Sequence, residues 1–80
     1  MDNIESKFER VLRMLVLPMF PIISDVSVER RPVTHDMIVT YYVDRLDIEK
    51  DSVIRLKTHS IFKMMGFEKY DVWITYRLVE

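Results

Sequence analysis

Apolar and polar positions follow a helical period in two stretches of the chain and alternate in three others, which separates helices from strands. In residues 3–17, Ile4, Phe8, Val11, Leu12, Leu15 and Val16 fall on one stripe at about 100° per residue, and Lys7, Arg10 and Arg13 face away from it. Asp2 followed by Glu5 fits a capping box at the start of this helix. Glu9 and Arg13 form an i,i+4 pair in the favourable order. Pro18 predicts the end, because it disfavours helical geometry at Leu17 and supplies no N–H.

Residues 22–31 alternate, with Ile22, Ser24, Val26 and Val28 on one face and Ile23, Asp25, Ser27, Glu29 and Arg31 on the other. Residues 37–43 set Met37, Val39, Tyr41 and Val43 against Ile38, Thr40 and Tyr42. The turn chemistry of residues 32–36 joins the two runs as a hairpin. A second helix is predicted over residues 48–65, with Asp47 as its N-cap and Glu49 and Asp51 complementing its positive end. Gly66 stands just past it, where a helix-ending residue needs positive φ. In residues 70–80, Val72, Ile74, Tyr76 and Leu78 point one way, and Asp71, Trp73, Thr75, Arg77 and Val79 the other.

The order α-β-β-α-β predicts an α+β fold, a two-layer sandwich with two helices on one face of a three-stranded sheet. The expected contact sets Phe8, Leu12, Leu15, Ile54, Ile61 and Met65 against Val26, Val28, Val39, Tyr41, Val72, Ile74 and Tyr76. A right-handed crossover makes the last strand parallel to residues 37–43, either beside them or beyond the first strand. Both arrangements leave one sheet face uncovered. That face is expected to hold Ile38, Thr40, Tyr42, Trp73, Thr75, Arg77 and Val79, with Asp25, Glu29 and Arg31 on the first strand.

The chain of 80 residues reads as a single domain. A domain of this size buries only roughly 60% of its unfolded surface. With no Cys, compensation falls to the 49% apolar content or to oligomerisation. Two His and no Cys exclude the usual structural zinc sites, and no metal or cofactor is expected. The net charge of −1 is not that of a general polyanion binder. The apolar run of residues 14–23 is too short to span a bilayer and is interrupted by Pro18 and Pro21, and the acidic Asp2 and Glu5 do not fit a signal peptide. These features favour a cytoplasmic protein with no membrane partner. The short length is compatible with an accessory protein of a phage or mobile element.

The chain lacks a Cys nucleophile, an HExxH motif and a Gly-rich phosphate loop, which one Gly could not build, so no catalytic residue is assigned and no enzyme is expected. The element order resembles part of the RNA-recognition and KH folds. One Gly excludes the KH GxxG loop, and the Gly-aromatic signature of RNA-recognition sheets is absent, so no residue role carries over.

The leading candidate is an interaction face of Trp73, Tyr42, Ile38, Arg77 and Val79, because the single Trp lies on the face that should meet water. Self-association, through this face or a sheet edge, is the first expectation and another protein the second. Nucleic acid stacked on the sheet aromatics, with scattered Arg and Lys, is the alternative. A second candidate is the basic stripe Arg55, His59 and Lys63, with Ser52, although most charged helix stripes are simply solvated. Lys57 falls inside an apolar arc, so it either snorkels or marks an arc split between core and partner. Arg30 and Arg31 should point to opposite faces, His35 beside Asp36 is a weak acid/base pair, and Met14 lies off the apolar stripe as a candidate contact.

Overall fold

The computed structural model describes residues 3–31 and 33–79. Helix α1 (Ile4–Leu15) starts at Asn3, whose side chain accepts the Ser6 N–H at 2.8 Å. Asn is as good a cap as Asp, and the start falls one residue later than expected; Asp2 lies outside the described residues. Pro18 enters a short 3-10 turn, Leu17–Met19, so the α-helical pattern stops before residue 17.

Strands β1 (Ile23–Arg31) and β2 (Asp36–Val43) pair antiparallel, with Val26 opposite Tyr41 and Val28 opposite Val39. Helix α2 (Ile48–Met64) starts at Asp47, whose side chain accepts the N–H groups of Glu49 and Lys50. It ends in a Schellman motif. Gly66 has φ of +77°, its N–H bonds Lys63 O at 3.0 Å, and the Phe67 N–H reaches Phe62 O at 3.4 Å. The Phe67 ring closes the motif edge-on against Phe62, 5.9 Å away. Strand β3 (Asp71–Leu78) pairs parallel to β2, so the sheet order is β1-β2-β3. Of the two placements left by the crossover rule, β3 takes the one beside β2.

Both helices pack on the same sheet face. Phe8, Leu12 and Val16 from the first, and Ile54, Ile61 and Phe62 from the second, are buried against Val26, Val39, Tyr41 and Ile74. Val28, Val72, Tyr76 and Met65 are half-buried around them. Among the described residues the polar exception is Thr58, fully buried. The Thr58 hydroxyl donates to Ile54 O at 2.7 Å, so the Tyr41 hydroxyl donates to Thr58 Oγ1 at 2.6 Å.

Two expectations fail where α1 meets β1. The register shifts between Ile23 and Asp25, a bulge that turns Ile23 into the core and leaves Ser24 exposed, reversing the expected faces at that end. Leu15 is 42% exposed rather than packed. The cause is the roll of α1 toward the outer edge of β1. Glu9 Oε1 accepts the Val28 N–H at 3.2 Å, and Arg13 donates to Val26 O at 3.0 Å. Arg13 also pairs with Asp25, and Glu5 with Arg30 at 3.4 Å. The buried line therefore runs Phe8, Leu12, Val16, and Leu15 rotates out. This polar flank of α1 satisfies backbone groups of β1 that an edge strand otherwise presents to other chains.

Candidate functional site

The strand registers set the uncovered face out in rungs. Glu29, Ile38 and Trp73 share one rung, Ser27, Thr40 and Thr75 the next, and Asp25, Tyr42 and Arg77 the third. Val79 continues the same side, its N–H bonded to Val43 O at 2.9 Å. The five expected interaction residues thus lie on one face. Ile38 touches the rung of Trp73, Tyr42 that of Arg77, and a hydroxyl rung separates the two. Thr40 and Thr75 bond hydroxyl to hydroxyl at 3.1 Å, and Ser27 approaches the Tyr42 hydroxyl at 3.4 Å. Glu29 and Arg31 are exposed on this side, as expected. Asp25 stands opposite Tyr42 on the third rung, as expected, and its carboxylate reaches to Arg13 of α1.

Trp73 is 58% exposed. Its indole N–H donates to Asp36 Oδ1 at 3.1 Å, which ties the ring to the start of β2. Hydrogen bonds from Thr34 and then from Trp73 hold the Asp36 carboxyl below its ordinary value. This pairing across parallel strands was not read from the sequence. An aromatic and an acceptor separated by 37 positions carry no local signal.

The basic stripe is exposed on α2, but its members do not act together. Arg55 Nε donates to both Asp51 oxygens at 3.0 and 3.1 Å and lies 6.0 Å from the centre of the Tyr76 ring. Its charge is therefore neutralised locally. His59 and Lys63 instead line an open groove of about 510 Å³ between α2 and β3, with Phe62, Glu68, Tyr70 and Val72. Ser52 is exposed.

A smaller pocket of about 200 Å³ lies at the start of α2, where Leu46, Ile48, Asp51 and Tyr76 meet. The Tyr76 hydroxyl donates to Asp51 Oδ1 at 2.5 Å. This bond lowers the Asp51 carboxyl, while burial followed by the facing carboxylate raises the Tyr76 hydroxyl. Among the described residues no cluster of three or more His, Cys, Asp or Glu could hold a metal ion.

The minor candidates separate. Arg30 pairs with Glu5, while Arg31 is exposed on the opposite side of the strand. His35 takes a left-handed conformation with its ring 5.8 Å from Tyr70, and Asp36 turns to Trp73, so the two do not form an acid/base pair. Lys57 is half-buried at the margin of a divided arc: Ile54 and Ile61 point inward, while Val53, Leu56 and Met64 are exposed. Met14 is 67% exposed.

Compared with known proteins, no family model matches the chain, and no curated protein or solved structure matches it.

Proposed function

We propose that the protein is a non-enzymatic binding and assembly module that works through its uncovered sheet side, with a second copy of itself as the first partner. The observation that carries this reading is Trp73, more than half exposed on a sheet face that no helix among the described residues covers. A large aromatic in water gains from burial, and Trp is enriched among residues that dominate interface energies. The bond to Asp36 orients the indole beforehand, which lowers the entropy lost on contact. Ile38 and Tyr42 extend the apolar surface, and the paired hydroxyls of Thr40 and Thr75 leave a level strip between them. No helix among the described residues is long and apolar enough to cross a membrane. The lack of Cys supports a place in the cytoplasm.

Stacking of single-stranded nucleic acid on Trp73 and Tyr42 is the second reading, favoured by an exposed Trp and a half-buried Tyr on one sheet face. Glu29 on the Trp73 rung and the nearby Asp36 set negative charge where phosphates would run. Such binding must weaken steeply with salt, whereas apolar association does not.

The test is Trp73→Ala, followed by sedimentation equilibrium and circular dichroism. We expect association to weaken by about 2 kcal/mol or more with the monomer fold retained. A variant that unfolds without losing association, or that associates as the wild type does, contradicts the reading.

A further inference from the structure

The two edges of the sheet differ. Glu9 and Arg13 of α1 engage the outer backbone of β1. Among the described residues nothing comparable covers β3. The N–H groups of Asp71 and Val79 bond the β2 side, at His35 O and Val43 O. Bonds in a parallel pair fall on alternate residues, so the backbone groups of Val72, Ile74, Tyr76 and Leu78 point outward. None of these four is bonded to another described group. A row of unpaired strand groups is a template for another strand.

The geometry points to a second copy of this chain as the occupant, through antiparallel β3–β3 pairing across a two-fold axis at Ile74. This inference rests on the self-association reading and specifies its seam. The charges on the strand select the register. Asp71 and Arg77 are exposed, and among the described residues neither side chain is in a hydrogen bond or ion pair. Asp71 stands beside another acid, Asp36, on the neighbouring strand. An axis at Ile74 brings each Asp71 opposite the partner's Arg77 in the closely spaced, non-hydrogen-bonded positions, where cross-strand charges interact best. Trp73 then faces the partner's Thr75. On the helix side Val72 meets the partner's Tyr76, and Leu78, 58% exposed in the single chain, meets the partner's Tyr70. Outward-pointing groups pair only at registers two residues apart. Sliding one way sets Arg77 opposite the partner's Lys69, and sliding the other way sets Asp71 opposite the partner's Val79. Among the registers that pair the body of β3, only the axis at Ile74 matches opposite charges twice.

The resulting dimer has a continuous six-stranded sheet with every helix on one side. The open faces of the two copies join, and each Trp73 lies next to the seam. The interface is isologous and self-limiting, because α1 occupies the remaining β1 edges.

The experiment measures solution mass across concentrations, by sedimentation equilibrium, for the wild type, Asp71→Arg, Arg77→Asp and the double exchange. Because both side chains are unpaired and exposed, all four should fold alike by circular dichroism. We expect the wild type to dimerise, each single reversal to raise the dimer Kd roughly tenfold or more, and the double exchange to restore it. Amide exchange of the wild type gives a second readout: Ile74 and Tyr76 should gain protection as concentration rises. Self-association that ignores the reversals, or a double exchange that fails to rescue and amides that gain no protection, overturns this seam while leaving self-association standing. A wild type that remains monomeric throughout overturns both, and an edge that pairs only with an unrelated extended peptide overturns the choice of occupant.

Discussion

The bond between Tyr41 and Thr58 joins the centre of the sheet to the second helix, and its removal has a magnitude that follows from the structure. Both residues are fully buried. Thr58 uses its own hydrogen on Ile54 O, so its oxygen is the acceptor for Tyr41. Thr58→Val keeps the shape and leaves the Tyr41 hydroxyl buried with no acceptor. A stranded buried donor costs about 2 kcal/mol, which in a domain of this size is roughly 10 °C in Tm. Tyr41→Phe removes the donor instead. Thr58 keeps its bond to Ile54, and the expected loss is about 1 kcal/mol. The double variant has no stranded group and should lose only about 1 kcal/mol, so the cycle gives a coupling of about 2 kcal/mol. Urea denaturation followed by far-UV circular dichroism, run on all four proteins, measures each term. Additive losses, or a Thr58→Val no worse than Tyr41→Phe, would refute the pairing and with it the derived position of α2 over β2.

Two further outcomes are expected. Gly66→Val should lose about 1 kcal/mol or more in the same assay; a side chain there meets nothing within 4 Å, so the loss is due to the φ of +77°, and unchanged stability would count against the Schellman end. Burial pushes the Tyr41 hydroxyl from 10.0 up to about 12, and Tyr76 is raised as well. The folded state then holds protons that the unfolded chain releases, so stability should be full below the ordinary tyrosine value and fall as pH rises from 10.0 toward about 12. Urea midpoints at about pH 9 and about pH 11 should show this fall, and Tyr41→Phe should reduce it.

Features marked by one residue or by strict alternation were legible before folding. Asp47 and Gly66 bound the second helix within a residue, since each supplies a local need of a helix end. The faces of β2 and β3 alternate as read, and the interaction residues Ile38, Tyr42, Trp73, Arg77 and Val79 lie on one side. What escaped depended on partners far along the chain. The bulge near Ser24 carries no Gly or Pro, and it exists where Arg13 takes Asp25 and the Val26 carbonyl. Glu9 and Arg13 read as a surface helix pair, yet they also serve the backbone of β1, which is why Leu15 turns outward. Asp51 reads as a charge complementing the helix start, but Tyr76 claims it from 25 positions away and leaves Arg55 neutralised beside it. Crossover handedness left two sites for the last strand, and only tertiary packing chose between them.

If the uncovered side of this sheet meets another copy, the mass in solution must depend on Trp73. Sedimentation equilibrium of the wild type and Trp73→Ala, over a wide concentration range and at low and high salt, tests it most directly. The wild-type mass should rise to that of a dimer at both salt concentrations, and the folded variant should shift toward monomer. A wild type that stays monomeric at the highest concentration, or a dimer indifferent to the loss of Trp73, would contradict it.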